Sequence, residues 1–440
     1  MRNDTAILKI KTCVIAVIFV FLSLLSEIAI CNQAGSDLKA QQDSEAVIRR
    51  AIAQKLNKKP EELTSEDYTN LDELNLSGLS NNSNIKMLSK LTNLQRLELN
   101  LMRTGVSDIT PLAALTNLKV LTIRFGDKVT DIKPLSGLAK LQELSLISAK
   151  VSDIKPLTGL INLQMISLDD QISDLKPLSG LTKLEELRFN CVANSNINKL
   201  SVLTNLRKLT IDSSYARDKS QFIDLKPLSA LTNLQELMLA GPQVNDIKPL
   251  AALTKLQALY IIGTQASDIQ SLAGLTNLQK LELVNPQLSD IKLLSGLTRL
   301  QELSIFSTQL SDIKPLSGLT QMQKLRLGTP QVNDIKPLAA LTNLQELMLD
   351  RTAVSDLTPI SGLTKLQEIS IFSLQLSDIK PLSGLTNLQK LVLGGPQVRD
   401  IKPLSGLTNL KTLDLSGAEV SDEQIKELKK ALPKLNISTG

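Results

Sequence analysis

The stretch LQELSIFSTQLSDIKPLSGLTQ, residues 300–321, returns with few changes as LQEISIFSLQLSDIKPLSGLTN at residues 366–387. The wider blocks 300–343 and 366–409 differ at only nine of 44 positions. From Leu71 onward the motif LxxLxL recurs about every 22 residues, some sixteen times in phase. Self-similarity at one fixed period indicates an array of repeated coils rather than several unrelated globular domains.

Within one period the residue pattern changes from that of a strand to that of a turn. In LQELSIF, apolar and outward-facing residues alternate, which predicts a strand. The inward positions are Leu300, Leu303 and Ile305, and the outward positions are Glu302, Ser304 and Phe306. The next segment, SDIKPLSGL, is short and contains Pro315, so it predicts a tight turn or 3₁₀ segment. Asp312 is placed to accept a hydrogen bond from the amide of Lys314 at the start of that turn.

These coils predict a fold, because no single coil can bury its apolar side and stacked coils can. A leucine pattern with a period in the twenties is typical of leucine-rich repeats. We therefore expect an α/β leucine-rich repeat solenoid, a curved right-handed superhelix. Its parallel strands would line the concave face, and its short 3₁₀ or turn segments would form the convex face.

Apolar helical faces at both ends of the array predict helical caps. The N-terminal face comprises Val47, Ile48, Ala51, Ile52 and Leu56, and the C-terminal face comprises Ile425, Leu428, Ala431 and Leu432. We assign residues 1–34 to a signal peptide and short linker and 35–70 to the N-terminal cap. Residues 71–420 form about sixteen coils, and 421–440 form the C-terminal cap.

The first residues carry the pattern of an export signal. Arg2, Lys9 and Lys11 precede an apolar run over residues 13–26, which is short for a membrane span. We expect an exported protein, either secreted or associated with the cell envelope. Three fates of the leader stay open: cleavage by signal peptidase, lipid attachment at Cys31, and retention as a membrane anchor.

Composition argues against most catalytic chemistry. The chain has no histidine, which removes imidazole bases, serine–histidine or cysteine–histidine pairs and histidine-containing zinc sites. Its net charge is only +5, with acids and bases interspersed, which is unlike a nucleic-acid-binding surface. Cys191 is expected to be a passive thiol. We predict a protein that is not an enzyme and has no cofactor, no metal and no nucleic-acid partner.

The run LTNLQKLxLxxxQVxDIKPLSGL resembles the 22-residue coils of internalins and related bacterial cell-surface proteins. The segment AVIRRAIAQKLNKKPEELTSEDYTNLDELNLSG, residues 46–78, is similar to the helical lead-in of that family, and the resemblance covers about 41–440. It implies a non-enzymatic, exported surface that binds other proteins. The chain lacks an LPxTG sorting motif, so covalent wall attachment is not expected.

One departure from the family concerns asparagine. Family coils usually carry asparagine three residues after LxL, where its side chain bonds the neighbouring backbone. Here that place holds Pro242, Thr264, Pro286, Thr308, Pro330, Thr352, Leu374 and Pro396. Threonine can supply a hydroxyl donor there, whereas proline and leucine cannot. We therefore expect the asparagine ladder to be missing, and the sequence does not show what replaces it.

Outward strand positions are the candidate partner-binding residues, because exposed apolar and aromatic side chains often anchor partners. The set is Met238, Tyr260, Ile262, Val284, Phe306, Met348, Phe372 and Val392. The alternative is that parallel strands simply tolerate such residues. A neighbouring outward position alternates in charge and predicts ion pairs; it holds Glu236, Lys280, Glu302, Lys324, Glu346, Glu368 and Lys390.

The coil that begins at Leu206 has six extra residues, which predict a bulging loop. In that loop Tyr215 and Arg217 are candidates for rim contacts. Phe222 is assigned to the core.

Taken together, the residues favour a monomeric, exported, non-enzymatic scaffold that binds a protein partner in its concave groove. The alternative keeps the fold and makes the chain a secreted effector, or a protein like the phosphatase-regulating leucine-rich repeat subunits, acting inside a host cell. A structural spacer and an enzyme with an unrecognised site are further alternatives.

Overall fold

The computed structural model describes residues 44–79, 85–126, 128–147, 150–168, 172, 174–190, 197–214 and 222–439. The chain divides into two compact units, residues 1–183 and residues 184–440, and each is described by itself. Cys31, Cys191, Tyr215 and Arg217, together with the leader, lie outside the described residues.

The first unit begins with two helices and continues with parallel strands. The helices are α1 (Ser44–Lys55) and α2 (Ser65–Asn70), and the described strands are β1 (Glu73–Leu76), β2 (Arg96–Asn100), β3 (Val120–Arg124), β4 (Glu143–Ile147) and β5 (Met165–Leu168). Each strand pairs in parallel with the next one along the chain, so that Leu74 lies opposite Leu97 and Leu97 opposite Leu121. Successive coils are therefore stacked in sequence order.

The second unit repeats this arrangement over more coils. Its described strands are β6 (Glu186–Asn190), β7 (Lys208–Asp212), β8 (Glu236–Ala240), β9 (Ala258–Ile262), β10 (Lys280–Val284), β11 (Glu302–Phe306), β12 (Lys324–Gly328), β13 (Glu346–Asp350), β14 (Glu368–Phe372), β15 (Lys390–Gly394), β16 (Thr412–Asp414) and β17 (Asn436–Ser438), and α3 (Asp422–Ala431) precedes β17. The register is constant, with Leu237, Leu259, Leu281 and Leu303 opposite one another on consecutive strands. This parallel sheet of leucine-bearing coils confirms the expected leucine-rich repeat fold.

Short 3₁₀ segments face away from the strands. They span Pro60–Glu62, Lys86–Lys90, Thr110–Ala114, Lys133–Leu135, Lys155–Leu157 and Lys176–Leu178 in the first unit, and Ile197–Val202, Lys226–Ala230, Lys248–Ala252, Gln270–Gly274, Lys292–Gly296, Lys314–Gly318, Lys336–Ala340, Thr358–Ile360, Lys380–Gly384 and Lys402–Gly406 in the second. Asp312 Oδ1 accepts a hydrogen bond from the Lys314 amide at 2.9 Å, as predicted. In the two neighbouring coils, Asp290 and Asp334 accept the equivalent hydrogen bond from the amides of Lys292 and Lys336. Because proline has no amide to satisfy, it fits the first turn of the segment.

The core lies between the strands and the 3₁₀ segments, as the alternation predicts. Leu303 and Ile305 are buried, whereas Glu302, Ser304 and Phe306 are half-exposed. Phe222 is different: its side chain is 43% exposed, and Ile223 occupies the buried position instead. The assignment of Phe222 to the core was therefore wrong by one residue.

Helices lie at both ends of the described chain, and at the C-terminal end a short strand follows the helix. Helix α1 buries Ile48, Ile52 and Ala53 and lies against β1. Helix α3 buries Leu428 but leaves Ala431 exposed, which contradicts its predicted place on the apolar face. After α3 the chain adds β17, which pairs in parallel with β16 and covers its edge. This last strand was not predicted.

Hydrogen-bonded side chains do join neighbouring coils in two ladders, at positions other than the one used in the family pattern. The asparagine of the LTNL motif, which reads LINL at residues 160–163, donates through Nδ2 to a backbone carbonyl of the preceding coil at 2.8–3.0 Å. These asparagines are Asn117, Asn162, Asn233, Asn277, Asn343, Asn387 and Asn409. Where the next coil has lysine or arginine instead, that side chain donates to the asparagine, as Lys365 does to Asn343 at 2.7 Å.

A second, buried ladder begins two residues after LxL, one residue earlier than in the family pattern. Asn285 Nδ2 donates to the Ala266 carbonyl at 2.5 Å, Ser307 Oγ to that of Leu288 at 2.5 Å, and Ser373 Oγ to that of Val354 at 2.7 Å. The residues after them are Pro286, Thr308 and Leu374, so in these three coils a bond to the preceding coil is made one residue before the family position. Thr308 does bond the preceding coil, through Pro286 O at 2.8 Å. Thr264 does not, because its buried hydroxyl has no partner.

Candidate partner-binding surface

The outward side chains of β8–β15 form a surface that we call the strand face. Constant register aligns these side chains in rows across the strands. All eight predicted site residues occupy outward positions on this face, half-exposed except for Phe372, which is 42% exposed. Since none of them belongs to the leucine core, this face can vary without loss of the fold.

Five of the predicted residues are neighbours and form what we call the Tyr260 patch. In one row Met238 lies opposite Tyr260, and in the next row Ile262, Val284 and Phe306 follow one another on β9, β10 and β11. Neighbouring strands are about 4.8 Å apart, so each apolar side chain in this row is close enough to contact the next one. The prediction that Tyr260, Ile262, Val284 and Phe306 lie within a few strands of each other agrees with this register.

The other three predicted residues are not brought together in the same way. Ser370 lies between Met348 and Val392 in their row. Phe372 lies in the neighbouring row, between Asp350 and Gly394. This part of the strand face is therefore a mixture of polar and apolar side chains.

Each of the two phenylalanines on the strand face, Phe306 and Phe372, is packed over a glycine of the next strand. A Cβ atom placed on Gly328 would lie 2.8 Å from ring atom Cε1 of Phe306, and one on Gly394 would lie 2.8 Å from Cε2 of Phe372. Both distances are below van der Waals contact, so these rings occupy the space that a side chain would fill. Phe306 and Phe372 therefore pack against the neighbouring strand, whether or not they also contact a partner protein.

The charged row forms the expected ion pairs between adjacent strands. The distances are 3.1 Å for Lys208–Glu236, 3.0 Å for Lys280–Glu302, 2.7 Å for Lys324–Glu346 and 3.6 Å for Glu368–Lys390. These pairs are partly exposed, and each contributes at most about 1 kcal/mol. Their main effect is a polar, soluble border beside the Tyr260 patch.

Glu282 was not selected from the sequence and is the unusual charge of this face. It lies between Tyr260 and Ser304 in its row, and burial raises the pKa of its carboxyl, an effect that Arg326 opposes. Burial also raises the pKa of Asp350, which accepts a hydrogen bond from Ser370 at 3.1 Å. The signal that could have identified Glu282 is a charge inside an otherwise aromatic and aliphatic group of outward residues.

A polar groove of about 470 Å³ lies where the chain enters its last strands. It is lined by Gln345, Lys365, Gln367, Asn387, Gln389, Asn409 and Lys411. Asn387 and Asn409 belong to the LTNL ladder, and Lys411 donates to Gln389 at 2.9 Å. Because these groups already bond neighbouring coils, the groove belongs to the scaffold.

Comparison with known proteins identifies the repeat. A family model described as "Leucine Rich repeats (2 copies)" matches residues 298–340, and the chain is similar over 85% of its length to a solved leucine-rich repeat protein of Leptospira interrogans. That protein is 22% identical, is covered over 97% of its length and superposes with a TM-score of 0.58. The chain has the leucine-rich repeat fold.

Internalins are also among the similar solved structures. InlJ of Listeria monocytogenes is 19% identical, with 90% of this chain and 77% of InlJ covered and a TM-score of 0.50. InlF of the same organism is 27% identical, with 86% and 95% covered and a TM-score of 0.48. A search of curated proteins found no match. The InlJ match supports the resemblance to internalins at the level of the fold.

Within the described ranges, no helix is both long and apolar enough to span a membrane. The same part of the chain contains no group of three or more acidic or cysteine side chains arranged to hold a metal ion. Leucine-rich repeat proteins generally serve as interaction scaffolds.

Proposed function

We propose that this leucine-rich repeat protein is a non-enzymatic, exported scaffold that binds a protein partner through the strand face. The observation that carries the proposal is the Tyr260 patch: five apolar or aromatic side chains that adjoin one another on the outward side of a parallel sheet of constant register. Contiguous exposed apolar surface with a polar border is typical of protein interfaces, and aromatic anchors often dominate their energy.

Export is supported by the leader and by the resemblance. The basic residues and apolar run of the first 26 residues have the order of a signal peptide. We propose that the mature chain is secreted or held at the cell envelope and acts there as a monomer. A host-cell effector would share the fold, and recovery of the chain from host cytosol would favour it.

The test is crosslinking capture by the purified chain, with identification of the captured proteins. We expect Tyr260→Asp and Phe306→Asp to reduce capture of the same partner about tenfold or more, because each places a charge within the apolar contact. Neither side chain is in the leucine core, so both variants should still fold. The urea midpoint of Phe306→Asp should fall modestly, because its ring also packs over Gly328, and capture is compared under conditions where both variants are folded.

Lys336→Asp is the matched control. It introduces the same residue at an exposed position on a 3₁₀ segment, on the side of the coil away from the strands. We expect it to leave capture unchanged. If both strand-face variants capture the partner as well as the wild type and the control, the proposed surface is wrong.

A further inference from the structure

Among the described residues, Glu282 stands out near the Tyr260 patch because its carboxylate forms no ion pair, the neighbouring Lys280 being paired with Glu302 instead. Among the described residues, Glu236 is paired with Lys208 at 3.1 Å and Glu302 with Lys280 at 3.0 Å. Within the part of the chain that the structure describes, the Glu282 carboxylate has no ion pair within 4.0 Å and no hydrogen bond. Arg326, two strands away, acts on it only at longer range and is itself 3.7 Å from Glu346.

The surroundings of Glu282 make this charge costly in the free protein. Tyr260 lies directly opposite it on β9, and Val284 follows it two residues later on the same side of β10. Ile262 and Phe306 extend the apolar row on either side of Val284. A carboxylate that is partly removed from water and lacks a partner is destabilising, and a cation supplied from outside would relieve that cost.

The phenol of Tyr260 faces the same negative field. Its pKa is raised first by burial and then by the carboxylates of Glu236, Glu302 and Glu282. Glu282 is the nearest of these along the sheet, because it lies directly opposite Tyr260 on β10. An aromatic ring beside a carboxylate is a favourable environment for a guanidinium, which can stack on the ring and bond the carboxylate oxygens.

We infer that the protein partner inserts an arginine side chain between the ring of Tyr260 and the carboxylate of Glu282, with an apolar side chain of the partner resting on Val284 and Phe306. This inference rests on the proposed function and specifies the chemistry of the partner. Charge complementarity carries it, because the patch offers one uncompensated negative charge within an apolar contact surface. Arginine fits better than lysine, since its planar group can contact the ring and the carboxylate together.

The test uses phage display of randomised extended peptides, selected against the full wild-type chain, Glu282→Gln and Glu368→Gln. Glu368 is the matched control, a carboxylate on the same face that is paired with Lys390 and lies three strands beyond β11. We expect arginine at a fixed spacing from an apolar residue in peptides selected by the wild type and by Glu368→Gln. The best such peptide should lose about tenfold in affinity for Glu282→Gln, or when its arginine is replaced by citrulline, which corresponds to about 1.4 kcal/mol.

Two other outcomes would overturn the inference in distinguishable ways. If wild type selects peptides that Phe306→Asp fails to bind but that carry no basic residue, the arginine is wrong and the strand face remains the binding surface. If no peptide is enriched by the wild type, or if enriched peptides bind Phe306→Asp equally well, the proposed surface and the inferred arginine both fail.

Discussion

At the scale of single residues, two similar buried hydroxyls of neighbouring coils differ in their hydrogen bonding, which predicts opposite effects on stability. Ser307 Oγ donates to Leu288 O at 2.5 Å and accepts from the Gln309 amide at 3.0 Å. Thr329, at the equivalent place in the next coil, has a buried hydroxyl without a hydrogen-bond partner. A satisfied buried group stabilises the fold, whereas an unsatisfied one costs free energy.

We therefore predict that Ser307→Ala lowers the free energy of unfolding by about 1–3 kcal/mol, because it leaves buried backbone groups unpaired. Thr329→Val keeps the side-chain shape and removes the orphan hydroxyl, so it should be neutral or stabilising. Urea unfolding of both variants measures the difference. Equal destabilisation by the two substitutions would contradict this assignment of the ladder.

Glu282 gives a prediction about pH. Burial raises its pKa in the folded protein above the ordinary value of 4.5. The folded state therefore holds the proton more tightly than the unfolded state, and the ionised carboxylate costs stability above the folded pKa. We expect Glu282→Gln to be more stable than the wild type at neutral pH.

This advantage should shrink as the pH falls through the raised pKa and vanish below about 4.5, where Glu282 is protonated in both states. Thermal unfolding of the two proteins across that pH range is the measurement. An advantage that persists unchanged at low pH would show that packing rather than charge is responsible.

At the scale of strands, the phenylalanine–glycine pairs couple neighbouring coils. The ring of Phe306 occupies the space above Gly328. We predict that Gly328→Ala is destabilising in the wild type, because the new methyl group meets the ring. In a Phe306→Ala background the same change should be neutral or stabilising, since alanine orders the strand better than glycine.

A double-mutant cycle measures this coupling, for which we expect about 0.5–3 kcal/mol. Gly318→Ala is a control in an open turn, where nothing lies within 4 Å of an added Cβ. Additive effects of Gly328→Ala and Phe306→Ala would mean that the ring does not depend on the glycine.

The strands and turns could be predicted well from the sequence. Burial of one side of each coil determines both the 22-residue repeat and the alternation of apolar and polar residues along each strand. Asp312 and Lys314 illustrate this: their hydrogen bond follows from one local rule and is present. The ladder was missed because it shifted by one residue to Ser307 and Asn285, and that shift depends on where each strand ends. Strand β17 was missed because a strand of three residues has too little pattern to predict.

The candidate surface was less predictable than the fold. The 22-residue repeat placed Tyr260 and Phe306 on the outward side of the strands. It did not predict that Gly328 lies beneath the ring of Phe306 or that Glu282 lacks an ion pair. Both blocks of the near-duplicate carry the same phenylalanine and glycine, at 306 and 328 and at 372 and 394, so comparison of the copies could have revealed that pair. The uncompensated charge depends on side-chain distances and needed the structure.

At the scale of the whole molecule, stability and recognition reside in different residues of the same strand. Inward leucines join each coil to the next, so that stability is distributed along the stack. Outward residues form a surface whose composition can change with much less effect on that stack, except at the two phenylalanine–glycine pairs. This separation is the central claim, and it depends on strict alternation along every strand.

Thiol reactivity tests that alternation most directly. In a chain whose native cysteines are replaced by serine, single cysteines are placed at each position of Glu302–Phe306 and of Lys280–Val284 and exposed to a thiol reagent under native conditions. We predict fast reaction at 302, 304, 306, 280, 282 and 284, and strong protection at 303, 305, 281 and 283. Reaction at similar rates along each strand, or protection of the outward positions, would contradict the account.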